Sequence, residues 1–281
     1  MELLEYDEKT DSYYPTGNAI LLFGKQPRSK FPQAAVKAKV DYSNGKQGAE
    51  TFNDPLVLIP DKVDKWIEKV LPASIDRSKF KATRVPAFPP EIIREALINA
   101  IIHRDYSLDG AKVQLEIKTD RIIVQSPGAP PSPVTIESLK NFTATSWSRN
   151  KKLSFIFNEM GYMEESGIGM NTFKSLREKF NLPLPIFIFD GSNVIVTFPR
   201  TTEVVKELIN KESISDLNEV ELEGYDFVRS QKEVSKKEYA EHFGLSDKVA
   251  QNQLRKMRNL DLIGDNGESP KSNKYKYVYK E

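Results

Sequence analysis

Three side chains stand one helical turn apart in the stretch from Pro89 to Tyr106: Glu95, Asn99 and His103. The double proline Pro89-Pro90 suits a helix start, where the missing amide hydrogen costs nothing. After it, Ile93, Ala96, Leu97, Ala100 and Ile101 recur at helical spacing and define a buried stripe. Residues four apart stack on one face, so the carboxylate, amide and imidazole form a column beside that stripe. Asn99 interrupts an otherwise apolar run, and a buried amide without partners is costly. One reading is the solvated side of an ordinary amphipathic helix. The other is a site: a carboxylate and an amide one turn apart can share a hard divalent cation and its water. Magnesium keeps waters and completes its shell with phosphates, and the carboxylate could orient or deprotonate a water.

Composition bounds the rest. The chain has 281 residues, enough for two domains and an appendage. It has no cysteine, which excludes disulfides and thiolate metal sites. Forty-one basic and 40 acidic residues nearly cancel, so any nucleic-acid contact must come from a local patch. No apolar run approaches the ~20 residues that span a bilayer. The acidic start, Met1 to Glu8, does not read as a signal or transit peptide, and a cytoplasmic location is expected.

Glu95-x-x-x-Asn99 resembles the first nucleotide box of the GHKL ATPases. The longer run Arg94 to Ser107 is similar to one subgroup, the GHKL-like domain of proteins termed RecG-related ATP-dependent DNA helicases. There it follows an AlbA-like, Schlafen-type domain in bacterial transcriptional regulators. Val124-Gln125-Ser126-Pro127-Gly128, Ser148-Arg149-Asn150 and Met163-Glu164-Glu165-Ser166-Gly167-Ile168-Gly169-Met170 fit the same subgroup. The resemblance spans roughly residues 10 to 200. It implies an α+β chain with a GHKL-like (Bergerat-type) α/β sandwich. It also implies ATP and magnesium as cofactors, Glu95 as the catalytic, water-activating residue, and Asn99 as the magnesium ligand. His103, Gly128, Gly167, Gly169 and Ser192 are the remaining nucleotide-binding positions. The stretch departs from the family at one point. GHKL proteins carry Asp-x-Gly-x-Gly in the first glycine box, where the Asp reads the adenine amino group; here Gln125-Ser126-Pro127-Gly128-Ala129-Pro130 leaves only Gly128 to carry over. A site without the polar partner of a base loses discrimination.

Two strings are decoys. Gly17 to Lys25 is no phosphate loop, because its glycines are seven apart and Gln26 replaces Ser or Thr. His103-Arg104-Asp105 mimics a kinase catalytic loop, but Gly110 stands where its Asn is needed. No Walker or helicase motif set is present.

These residues need elements to hold them. Residues 1–86 are expected to form an α/β segment ending an AlbA-like domain, with strands at Ala19–Phe23 and Ala35–Val40 and a helix at Asp61–Leu71. Only the end of such a domain is present, as in a piece of a longer protein or a short natural form. Residues 87–200 are expected to form the nucleotide-type domain. Its strands are Lys112–Lys118, Arg121–Gln125, Pro185–Phe189 and Asn193–Phe198, and its helices Asn150–Glu159 and Met170–Phe180. An antiparallel sheet with helices on one face buries this pattern most simply.

Residues 201–281 read as an appended winged helix-turn-helix. A charged linker, Lys211 to Glu223, leads to a helix ending at Tyr225–Arg229. Ser235-Lys236-Lys237-Glu238 is a capping box. Ser246 caps a third helix, Asp247–Leu260, with Val249, Leu254 and Met257 facing inward, and a Gly/Ser/Pro-rich loop follows. Lys248 to Lys280 holds eight basic and three acidic residues. Lys248, Gln251, Asn252 and Arg255 on the helix, and Lys271, Lys274 and Lys276 on the wing, are types that contact phosphates and base edges of double-stranded DNA. The alternative is a winged helix used for dimerisation or to close a protein interface. Two functions follow: a DNA-binding transcriptional regulator whose GHKL-like domain is a sensor or scaffold with degenerate ATP binding, or a magnesium-dependent ATP hydrolase coupling nucleotide to homodimerisation or DNA.

Overall fold

The computed structural model describes residues 3–71, 73–76, 83–163, 169–270, 272 and 274–280. It divides into two compact units, Met1–Thr202 and Glu203–Glu281.

In the first unit the chain opens with a hairpin, β1 (Leu4–Asp7) and β2 (Ser12–Pro15), and then α1 (Gly17–Phe23). The expected strand at Ala19–Phe23 is this helix. Thr16 caps it by accepting from the Ala19 amide, which settles an apolar run too short for its period to decide. β3 (Val36–Asp41) and β4 (Gln47–Phe52) follow, then α2 (Ile59–Val70). α2 buries Val63, Trp66, Ile67 and Val70 along one side. A short pair, β5 (Ala73–Asp76) and β6 (Thr83–Pro86), leads to α3 (Pro90–His103). β7 (Val113–Ile117) and β8 (Arg121–Pro127) precede three helices: α4 (Ile136–Lys140), α5 (Lys151–Glu159) and α6 (Gly169–Phe180). β9 (Ile186–Phe189) and β10 (Asn193–Pro199) close the unit.

Six of these strands make one sheet, in the order β4-β3-β7-β8-β10-β9. It is mixed and not antiparallel throughout, because β3 runs parallel to β7 with Val36 opposite Val113. A parallel pair needs a long crossover, and α2 and α3 lie in that connection. The expected boundary near residue 86 therefore cuts through the sheet: β3 and β4 belong to the same layer as the strands after α3. Alternation selects one face as the core side. Val36, Ala38 and Val40, then Val113, Leu115 and Ile117, then Ile122 and Val124 are buried, while Lys37 faces water. The buried residues of α2, α3, α5 and α6 join the same cluster, so helices cover that face.

The second unit begins with α7 (Thr202–Ser215) and α8 (Glu219–Gln231), so the stretch expected to be a charged linker is helical on both sides of a short turn. Asn218 and Glu221 form a reciprocal cap at the start of α8. β11 (Glu233–Val234), α9 (Lys236–Phe243), α10 (Asp247–Asn259), β12 (Ile263–Asp265) and β13 (Tyr277–Tyr279) complete it. The predicted capping box is present: Glu238 N donates to Ser235 Oγ, and Ser235 N to Glu238 Oε2. Gly244 ends α9 in the left-handed region at φ +62°. The strands form an antiparallel sheet ordered β11-β13-β12, and this unit has its own core around Val228, Tyr239, Leu254 and Ile263.

Candidate functional site

α3 is buried nearly all round. Ile92, Ile93, Ala96, Leu97, Ile98, Ala100, Ile101 and Ile102 are all inaccessible. Glu95, Asn99 and His103 are half-buried, and all three line a cavity of about 170 Å³. Asn99 Nδ2 donates to Glu95 Oε1 at 2.9 Å, which supplies a partner for the amide that breaks the apolar run. The His103 imidazole is held neutral, its pKa pushed down to about 4 by burial and then by the nearby Arg149 guanidinium.

The opposite wall comes from the sheet and its loops. Val124 and Ser126 on β8, Val194 and Val196 on β10 and Phe187 on β9 form the floor. The segment from Gly128 to Val134 and that from Ala144 to Ser148 form the rim, where Trp147 is 46% exposed. Gly128, at φ +108°, occupies a conformation that side chains avoid, and a Cβ there would sit 2.7 Å from Asp105 Cβ. Gly169, the first residue of α6, lies against the column: a Cβ on it would meet Glu95 Oε1 at 2.5 Å. Gly167 and its neighbours from 164 to 168 lie outside the described residues. Ser192 is exposed in the β9–β10 turn and is not part of the lining. Its carbonyl accepts from Gly128 N, while its own amide donates to Asp190 Oδ1. The carbonyl bond places Ser192 beside Gly128, which does line the cavity.

Ser148-Arg149-Asn150, similar to the subgroup in sequence, has a mechanical role in the structure. The last carbonyls of a helix have no intrahelical donor. Asn150 Nδ2 donates to the carbonyls of Ile102 and Arg104, and Arg149 Nε to that of His103. Arg149 also reaches Ala129 O and pairs with Asp105 Oδ2, so it ties the end of α3 to the cavity rim. Arg104, fully buried, donates to the carbonyls of Asp105, Leu108 and Ala111 and sits 4.9 Å from the Tyr106 ring centroid. The kinase-like triplet is thus a folding device. A rule that helix ends need donors would have flagged the need, but the partner lies 46 residues on in sequence, beyond local reach.

Fit to a magnesium triphosphate can be tested on these residues. The carboxylate–amide pair is present. However, no Lys or Arg side chain is among the described lining residues. A helix start offers only about half an elementary charge. Two residues before Gly128, where the family's Asp belongs, Ser126 donates its hydroxyl to Ala100 O at 2.8 Å. No group of three or more His, Asp or Glu positioned for a metal exists among the described residues. Among the described residues the carboxylate–amide pair suits a cation, while no cationic side chain lines the cavity to meet a polyphosphate; the glycine stretch 164–168 lies outside them.

In the second unit, α10 buries Ala250, Leu254 and Met257, while Val249, expected inside, is 42% exposed. Burial at i, i+4 and i+7 rotates the helix so that Ala250 takes the inward place. Lys248, Gln251, Asn252 and Arg255 are all exposed, as is Lys274. Lys276 is instead paired with Glu233 at 2.7 Å. Lys256 pairs with Glu221 and Arg258 with Asp265, so much of the local positive excess is balanced. Lys271 lies outside the described residues.

Residues 110–198 match the sequence profile of a family described as "Putative ATP-dependent DNA helicase recG C-terminal". That stretch is RecG-related and of the GHKL-like ATPase type, and the mixed six-stranded sheet with helices on one face is consistent with such a domain. Among solved structures, the chain resembles the DIP2311 protein of Corynebacterium diphtheriae, with a TM-score of 0.54 and 18% identity. The alignment covers 98% of this chain and 55% of that one, so the chain spans about half that protein's length. A search of curated proteins returned no match. No helix among the described residues is long and apolar enough to cross a membrane.

Proposed function

We propose that this protein is a DNA-binding regulator whose GHKL-like domain is a non-hydrolysing module with a degenerate nucleotide pocket. The observation that carries the reading is the outer row of α10. Lys248, Gln251, Asn252 and Arg255 are all exposed on a helix that follows a tight glycine turn. Read as a winged helix, this unit would place α10 in the major groove and the β12–β13 loop, with Lys274, along the backbone. Duplex binding should then weaken steeply with salt through counterion release. Arg255→Ala should cost about 1–3 kcal/mol if the guanidinium reads a base edge. Fluorescence anisotropy of the full chain on random duplex at several salt concentrations tests this, and flat, salt-independent binding would reject it.

One observation favours a second reading as an ATPase: Glu95 and Asn99 lie side by side in the cavity wall. That reading requires magnesium-dependent ATP binding that Asn99→Ala abolishes, together with turnover that Glu95→Ala removes while binding persists. A homodimer belongs to the same reading, since it would couple nucleotide to assembly. A thermal-shift titration with ATP and magnesium separates the two.

A further inference from the structure

Val249 is an apolar side chain on the outer face of α10, 42% exposed and outside the core of its unit. Residues three or four apart share a helix face. Asn252 therefore stands next to both Lys248 and Val249, and Arg255 next to both Gln251 and Asn252. The five make one exposed patch. Its polar members are not used internally. Lys256 and Arg258 are engaged by Glu221 and Asp265, and Gln253 by the Tyr239 hydroxyl. By contrast, the side chains of Lys248, Gln251, Asn252 and Arg255 have no hydrogen bond or ion pair among the described residues. Asp247, the one acidic residue in the α10 sequence, is paired with Lys236 at 2.7 Å. Ser246 caps the helix through the Val249 amide, and burial of Ala250, Leu254 and Met257 fixes its rotation. The core thus holds the patch outward.

Two cations beside no unpaired carboxylate suit a polyanion, and the residues between them suit particular bases. In the major groove adenine presents an acceptor and a donor side by side, which one Asn or Gln amide meets with both of its groups. Thymine presents a methyl group, which an apolar side chain covers. The cytosine amino group calls for a carboxylate, which the patch does not offer. We propose that α10 selects duplex sites containing A·T pairs. Asn252 takes an adenine edge, Gln251 takes a second, and Val249 packs on the methyl of a neighbouring thymine. Lys248 and Arg255 hold the flanking phosphates, which fix position and carry no sequence information. The inference rests on the DNA-binding reading of this unit, and it names the bases that the unit takes.

The test is fluorescence anisotropy of the full chain on short duplexes that differ by single chemical groups. An alternating A·T duplex should bind at least about tenfold tighter than an alternating G·C duplex. Deoxyuridine in place of thymidine removes the methyl alone and should weaken binding several-fold. Adenine replaced by 7-deazaadenine loses the N7 acceptor and should do the same. These comparisons need no variant. Val249→Ala should bind the thymidine and deoxyuridine duplexes equally, and Asn252→Ala should lose most of the sensitivity to 7-deazaadenine. Arg255→Ala should weaken every duplex alike. Equal binding of the A·T and G·C duplexes, or tighter binding of G·C, overturns the proposal. A methyl effect that persists undiminished in Val249→Ala overturns it too. Salt-sensitive binding without base preference removes this inference and leaves the regulatory reading in place. Absence of salt-sensitive binding to any duplex removes both.

Discussion

Two glycines carry specific contacts that side chains would break. Gly169 lets α6 begin against the Glu95 carboxylate, where a Cβ would stand 2.5 Å from Oε1. Gly169→Ala should therefore push the carboxylate off Asn99 and destabilise the chain by about 1–3 kcal/mol. In a double-mutant cycle by urea denaturation, Glu95→Ala should suppress most of that loss, because the obstructing oxygen is then gone. Additive losses would show that the two do not meet. Gly224 is tighter still. A Cβ there would lie 1.7 Å from the Tyr239 hydroxyl, which is buried and donates to Gln253 Oε1. Gly224→Ala should cost about as much or more, and Tyr239→Phe in that background should recover part of it.

At the scale of elements, the end of α3 depends on two distant side chains. Arg149→Ala removes the donor to the His103 carbonyl and the partner of Asp105. Hydrogen bonds to a charged group are worth about 1.5–3 kcal/mol, and urea midpoints should fall accordingly. The same helix end carries a pH dependence. The folded His103 has its pKa lowered from 6.5 to about 4, so the unfolded chain binds the proton more readily. The penalty is absent above pH 6.5, grows as pH falls, and is complete near pH 4. It is on the order of 3 kcal/mol. The difference in stability between wild type and His103→Gln, measured across that window, should drift in favour of the variant as pH falls. A difference that stays constant would show that the imidazole titrates normally.

At the scale of the whole molecule, the two units have separate cores. Both tryptophans, Trp66 and Trp147, lie in Met1–Thr202. Tryptophan emission thus reports the first unit and far-ultraviolet circular dichroism reports both. Gly224→Ala should produce an early loss of ellipticity on heating while the emission midpoint stays in place. Coincident transitions by both probes would instead make the chain one cooperative system.

Periodicity and local chemistry determined much of this protein without the fold. The α2 and α3 stripes, the Ser235–Glu238 and Ser246 caps and the Glu95–Asn99–His103 column all follow from interactions within a few residues. Short-range rules failed where two states share a pattern. Ala19–Phe23 is helical because Thr16 caps it, and Val249 gives way to Ala250 because the packing of α8 and α9 against α10 sets its rotation. Tertiary structure alone decided which strands share a sheet. The parallel pairing of β3 with β7 spans more than 70 residues and dissolves the boundary expected near residue 86. It also decided that the column lines a cavity, and that Arg149 and Asn150 cap α3 from 46 to 48 residues away. Such contacts join segments whose separation along the chain leaves no local trace, and only the closing of the core brings them within hydrogen-bond reach.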